Sequence, residues 1–230
     1  CLKYFIDKIK NKNNFALLRF ADGELNVLQN KSLTNCDNWT FKSGGILNNH
    51  LEMALTLENT NVYYGISGLS DNKNACNYYY NHIFNKPNIT YANVFVNSNY
   101  KKWIDFLQSH TGECFLISSS LPNNNKIGNI SVVDSLIINE FLVNSWDNEY
   151  QSYFNILNNI SKKYTNMLFL ISAGPLSEII IYKLYKLNPN NIYLDVGSSI
   201  DIYVKNKETR PYMKNHELFN NNVLDLPLVK

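Results

Sequence analysis

The sequence predicts an α/β protein with one mostly parallel sheet and helices on both faces. Three observations carry that prediction. Short apolar runs alternate with stretches of helical character, the pattern of parallel strands joined by helices. Each apolar run ends in a small polar turn, where a strand hands over to its helix. No Pro/Gly/Ser-rich linker or internal repeat interrupts the 230 residues, so residues 1–230 are expected to form a single domain.

The elements follow in order. Residues 2–10 (LKYFIDKIK) form an amphipathic helix. Phe15–Leu18 opens a buried strand that runs to residue 20 and stops at Asp22-Gly23-Glu24, where a second helix begins. A helix near 49–58 precedes a strand at 61–66, and a tyrosine-rich helix near 74–84 precedes a strand at 89–96 (ITYANVFV). A helix over 100–108 leads to a strand at 113–118 (ECFLIS), then a short strand at 130–133 and a helix over 147–163. The clearest unit comes last: strand 167–172, turn Ala173-Gly174-Pro175, helix 176–187 and strand 192–196. Beyond residue 205 the chain is expected to be irregular and to wrap back over the sheet.

Ligands of such sheets bind at the carboxyl ends of the strands. The turns there carry Asp22 and Glu24, Ser67-Gly68, Asn97-Ser98-Asn99, Ser118-Ser119-Ser120, Ser172-Ala173-Gly174-Pro175 and Gly197-Ser198-Ser199. One small, hydrogen-bonding rim with a single acidic pair suits a nucleotide diphosphate and a metal, although polar turns are ordinary in any protein. Asp22 and Glu24 are hard oxygen ligands, the type Mg²⁺ or Mn²⁺ takes alongside substrate phosphates, and Gly23 gives their turn its freedom. The same residues also make an acidic helix start, with Asp22 as cap. Ser172, Gly174 and Pro175 at a strand-to-helix turn offer either an anion site or a plain connection. Arg210, in Thr209-Arg210-Pro211-Tyr212, has the planar fork that clamps a diphosphate, or it is a surface cation. Tyr212 stacks on a base or sugar, or is one of 16 tyrosines.

Composition excludes several classes. With 45% hydrophobic and 17% charged residues the chain is globular, and a net charge of +2 without a Lys/Arg run excludes a nucleic-acid footprint. Cys1, Cys36, Cys76 and Cys114 are scattered, which argues against a zinc site or disulfide framework and for a reducing, cytoplasmic location. No run is long enough to span a bilayer and no signal peptide is visible. The start at Cys1 rather than Met is read as that of a domain cut from a longer protein, with further domains outside it.

Together R-F-A-D-G-E (Arg19–Glu24), I-S-A-G-P-L-S-E (Ile171–Glu178) and L-D-V-G (Leu194–Gly197) resemble the GT-D glycosyltransferases, marked by an R-F-G-D-G-E turn with a metal-binding D-x-E. Ala21 replaces the usual Gly. The stretch from Asp195 through Gly197-Ser198-Ser199-Ile200-Asp201 to Thr209-Arg210-Pro211-Tyr212 resembles a variant ending in G-S-x-x-D and T-R-x-Y, and Asn93–Tyr100, which includes Asn97 and Asn99, is similar to it as well. The resemblance covers about residues 15–212. It implies a Rossmann-like domain that transfers a sugar from a nucleotide donor, a UDP-sugar, to a glycan or protein-linked hydroxyl. It also implies Asp22 and Glu24 as residues of a Mn²⁺ or Mg²⁺ site, with Arg19 and Gly23 in the same turn.

Sugar transfer leaves negative charge on the departing diphosphate, which a metal at Asp22 and Glu24 neutralises. Inversion of configuration also requires a base; Asp201 is the candidate, with Asp195 as the alternative base or a ribose ligand. Two other classes remain open. Tyr193–Gly197 mimics the Gly-rich motif of S-adenosylmethionine-dependent methyltransferases, though it lies near the end of the chain. A non-catalytic sugar-binding module is the second.

Overall fold

The computed structural model describes residues 1–34, 39–139, 141–215 and 226. Helix α1 (Leu2–Lys10) leads into β1 (Phe15–Phe20), α2 (Asp22–Leu28), an antiparallel pair β2 (Leu33–Thr34) and β3 (Thr40–Phe41), α3 (Leu47–Leu55), β4 (Val62–Ile66), α4 (Leu69–Ile83) and β5 (Ile89–Tyr91). Next come α5 (Tyr100–Ser109), β6 (Gly112–Ser118), β7 (Lys126–Ile127), β8 (Ile130–Ile137), α6 (Leu142–Lys163), β9 (Leu168–Ile171), α7 (Leu176–Leu187) and β10 (Ile192–Asp195). Two short helices follow, α8 (Asp201–Val204) and α9 (Pro211–Lys214).

Eight strands form one sheet in the order β5-β4-β1-β10-β9-β6-β8-β7, and every pairing is parallel except β7 with β8. The direction of travel across this sheet decides which face each helix covers. The chain moves one way from β1 through β4 to β5, and the same way from β8 through β9 to β10. Right-handed crossovers therefore put α2, α3, α4, α6 and α7 on one face. The reverse step from β5 to β6 puts α5 on the other, where α1 and α8 also pack. The two cores match: β1 sends Ala16, Leu18 and Phe20 into the first and Phe15 and Leu17 into the second, the alternation of a strand buried on both sides.

Several boundaries differ from the sequence expectation. The strand expected over 89–96 ends at Tyr91, because Val94 and Phe95 bury themselves in the second core from a turn, and Asn97 takes a left-handed φ of +54°. An apolar run records burial, not extension. The helices expected from 74 and 147 begin earlier, at Leu69 and Leu142, and β8 runs on to Ile137. The segment beyond 205 is not wholly irregular: Pro211 opens α9, whose Tyr212 and Met213 pack on Val96 and Tyr100. Cys36, His216 and Asn220–Asn222 lie outside the described residues.

Candidate functional site

The strands β1 and β10 are neighbours, yet β1 leaves to α2 on the first face and β10 leaves toward α8 on the second. Loops that part in this way open a crevice at the carboxyl edge, the place where open α/β sheets bind ligands. A cleft of about 700 Å³ lies there.

Its floor is an ion pair between the two diverging strands. Arg19 on β1 donates from Nε to Asp195 Oδ2 on β10 at 3.0 Å and from Nη1 to the Ala92 carbonyl at 3.1 Å. Burial opposes the guanidinium charge, but Asp195 beside it outweighs that and raises its pKa. Asp195 Oδ1 also accepts the Gly197 N–H at 3.0 Å. Gly197 has φ +49°, and a Cβ there would collide with the Arg19 guanidinium, so the turn admits little but glycine. Asp195 thus holds Arg19 in place.

One wall is built by first-face elements. Asp22 and Glu24 lie in the first turn of α2, where two positions apart means roughly 200° around the axis. Glu24 nonetheless folds back, and its Oε2 accepts the Ala21 N–H at 2.9 Å. Glu24, not Asp22, therefore closes the helix start, while Asp22 Oδ1 accepts the N–H of Gly23 at 3.0 Å. Gly23 is helical and not left-handed, and a Cβ there would meet the Trp39 ring only at an ordinary contact of 4.0 Å, so neither φ nor space demands glycine. Burial pushes Glu24 up to about 7 against the opposing Ala21 hydrogen bond, and the charges of Asp195 and Asp22 add to the rise. Ser172 and Gly174, from the turn between β9 and α7, also line this wall.

The other wall belongs to the second face and the chain beyond β10. Ser198, Asp201, Lys205, Arg210 and Tyr212 line it. Two tethers hold it: Thr209 Oγ1 donates to Asp201 Oδ2 at 2.5 Å, and the hydroxyls of Ser198 and Tyr212 lie 2.8 Å apart. Asp201 is buried, with Lys205 Nζ 3.5 Å from Oδ2 and no hydrogen-bond partner for Oδ1. Burial raises its pKa against the Thr209 and Lys205 contacts. It anchors the segment that carries Arg210.

Of the residues singled out in the sequence, the cleft brings together Arg19, Asp22, Gly23, Glu24, Ser172, Gly174, Asp195, Ser198, Asp201, Arg210 and Tyr212. It does not bring in five others. Asn97 is buried, and Asn99 donates to the Tyr91 hydroxyl and the Val94 carbonyl. Ser199 is buried between Val196 O and the Trp103 N–H. Pro175 is the N-cap of α7, one residue ahead of the helix, and Thr209 is spent on Asp201.

Two cleft residues and one buried acid were not assigned a role in the sequence reading. Trp39 lies between strands with no periodicity to mark it. Lys205 is four residues after Asp201, a spacing that could have linked them. Glu178 is fully buried in the first turn of α7 with Oε2 unpartnered, and burial, then Asp195 and Glu24, hold its pKa well above the usual range. A lone acid in the apolar run LSEIII was its available signal.

The donor set at the acidic wall fits a hard divalent cation: carboxylates only, two of them, with phosphate oxygens and water to complete the shell. Among the described residues no group of three or more His, Cys, Asp or Glu could by itself hold a metal.

Comparison with solved structures places this architecture. A structure described as the highly conserved domain of unknown function 1792, with a distinct glycosyltransferase fold, matches at a TM-score of 0.61 and 16% identity over 99% of this chain and 90% of that one. A selenomethionine-substituted structure of the same domain matches at 0.60 and 15%, with the same coverage. The chain has this glycosyltransferase fold. No protein-family model and no curated protein matches the sequence. Among the described residues, no helix is long and apolar enough to cross a membrane.

Proposed function

We propose that the protein is a metal-dependent glycosyltransferase that moves a sugar from a UDP-sugar to the hydroxyl of a glycan or protein-linked acceptor. The observation that carries this reading is the pairing of walls across one cleft: Asp22 and Glu24 on one side, Lys205 and Arg210 on the other. A sugar diphosphate needs both. Arg210 and Lys205 bind its phosphate oxygens directly, since charge-assisted bonds to phosphate are the strong ones. Asp22 and Glu24 would hold a divalent cation, which when bound would supply Lewis-acid neutralisation of the charge that grows on the leaving diphosphate. Arg19, locked by Asp195 and Ala92 as a buried ion pair, keeps the floor between the walls rigid, so the two walls are held apart at a fixed spacing. The uridine of the donor follows from the resemblance of the motifs. A cytoplasmic location goes with this reading, on the scattered placing of the four cysteines in the sequence.

The test is a panel of nucleotide sugars scored by melting temperature and slow donor hydrolysis, with Mn²⁺, with Mg²⁺ and with excess chelator. A ligand of the native state raises apparent stability by mass action, so even a weak donor registers. Stabilisation and hydrolysis with a uridine donor, both abolished by chelator, are expected. Full activity in chelator would remove the metal from the reading, and a response confined to guanosine or thymidine donors would remove the uridine.

A further inference from the structure

Two buried tyrosines pack on Phe20, the last residue of β1. Tyr64 on β4 donates its hydroxyl to the Leu57 carbonyl at 2.6 Å, just beyond the end of α3. Tyr79 on α4 donates to the Ala21 carbonyl at 2.5 Å, one residue ahead of Asp22. The two bonds are alike in chemistry and differ in what they hold.

The Ala21 carbonyl belongs to the peptide that leads into Asp22, and the Ala21 N–H to the peptide before it. Glu24 Oε2 accepts that N–H at 2.9 Å, so each of the two peptides has a side-chain partner. The carbonyl also accepts the Leu25 N–H, but at 3.3 Å, longer than an ordinary helical bond. Tyr79 is its closer donor. Asp22 takes its direction from that same peptide. It is exposed, and its Oδ1 accepts the N–H of the adjacent Gly23 at 3.0 Å, a bond that travels with the turn and does not anchor it. Tyr79 is completely buried in the first core, so its hydroxyl is a fixed point.

The donor is also of a suitable kind. Burial, then the charges of Glu24, Glu178 and Asp22, hold the phenol well above its usual pKa, so it donates without titrating. A lysine or arginine in its place would pair with the carboxylates and compete with a cation for them.

We infer that Tyr79 is a positioning residue: its hydroxyl fixes the peptide ahead of Asp22 so that Asp22 and Glu24 face one divalent cation together. The inference rests on the proposed metal site and names the residue that presets it. A turn set before the cation arrives spares the ordering that binding would otherwise cost.

The experiment compares Tyr79→Phe with Tyr64→Phe. Each keeps its ring and removes one buried hydroxyl-to-carbonyl bond, so the two should fold with similar falls in melting temperature. The Leu25 N–H still serves the Ala21 carbonyl in Tyr79→Phe. Mn²⁺ is titrated in the presence of UDP, and free Mn²⁺ is followed by electron paramagnetic resonance. Tyr79→Phe is expected to bind Mn²⁺ about five- to tenfold more weakly than wild type, and Tyr64→Phe as tightly as wild type. The Mn²⁺ concentration for half-maximal donor hydrolysis should shift by the same factor in Tyr79→Phe alone.

Wild-type affinity in Tyr79→Phe overturns the positioning role and leaves the metal site standing. Equal weakening in both variants overturns it too, since any loosening of the core then suffices. A Tyr79→Phe protein without a folded state has the same force, because a bond the whole fold requires is not reserved for the turn. If the wild type takes up no Mn²⁺ with UDP, the metal site itself fails and the positioning role with it.

Discussion

The two walls of the cleft are assembled in different ways. The acidic wall is local. Asp22 and Glu24 follow directly on β1, and one backbone hydrogen bond, Ala21 N–H to Glu24 Oε2, sets their turn while the Tyr79 hydroxyl holds the Ala21 carbonyl at 2.5 Å. The cationic wall is tertiary. Lys205 and Arg210 lie well past the last strand, and two side-chain tethers, Thr209 to Asp201 and Tyr212 to Ser198, bring their segment to the cleft. On the proposed reading, chemistry that needs fixed geometry sits on a strand end and a helix start, and charge that only has to reach a ligand sits on a strap. Loss of a residue should therefore act differently on the two walls.

The largest effect is expected at the acidic wall. Asp22→Asn and Glu24→Gln keep size and hydrogen-bonding capacity while removing the charge that holds a cation. Gln at 24 can still accept from Ala21, so the helix start should survive with a stability change under roughly 1 kcal/mol. Turnover should nevertheless fall by two or more orders of magnitude, and donor affinity should fall with it, because a cation held there would contact the diphosphate in the bound donor and more strongly in the transition state. Transfer rate and melting temperature measured together check this. Wild-type rates in both variants would reduce the turn to a helix cap.

A smaller effect is expected at the cationic wall, and of another kind. Arg210→Gln removes a charged contact to phosphate worth about 1.5–3 kcal/mol, so donor affinity should fall by roughly 10- to 100-fold. Asp201→Asn should reproduce part of that loss by loosening Thr209 from the anchor. Donor binding titrated by calorimetry distinguishes the cases. If Asp201→Asn lowers kcat at unchanged donor affinity, Asp201 acts on the acceptor as a base and not on the strap.

The difference between the walls also explains what the sequence disclosed. The parallel sheet was legible because each strand is a short apolar run bounded by a turn, as at Phe15–Phe20 and Ile192–Asp195. The acidic pair was legible because its residues are adjacent in the chain. Contacts between Asp201 and Thr209, or between Trp39 and two glycines on separate elements, leave no trace in spacing. Asn97, Asn99 and Ser199 looked like rim residues because strand-end turns are polar, but here Asn97 is buried and the side chains of Asn99 and Ser199 satisfy groups beneath the surface instead. The expected strand at 89–96 failed for a related reason: Val94 and Phe95 are apolar because they are buried, and a turn buries them as well as a strand does.

The smallest effect on turnover is expected from Glu178, which lies behind the acidic wall and touches no part of the cleft surface. Its carboxyl is fully buried near Asp195 and Glu24, and burial above all pushes its pKa well above the usual range, which favours the protonated form in the folded protein. In the unfolded chain the same group ionises near its ordinary value of about 4.3. The folded state therefore binds more protons than the unfolded state once the pH exceeds that value. The sign follows: Glu178 contributes its full stability at lower pH and loses it as the pH rises, by up to about 1.4 kcal/mol per pH unit until the buried group itself ionises. Glu178→Gln keeps the shape of the neutral acid and has no proton to lose. Melting temperatures of the two proteins should coincide below about pH 4 and separate progressively above it, with the variant the more stable at pH 7. Turnover should change little, since Gln adds no charge beside Arg19 and Asp195. A variant that tracks the wild type across the whole pH range would show that the buried carboxyl is ionised in the native protein, balanced by Arg19 as well as Asp195 is.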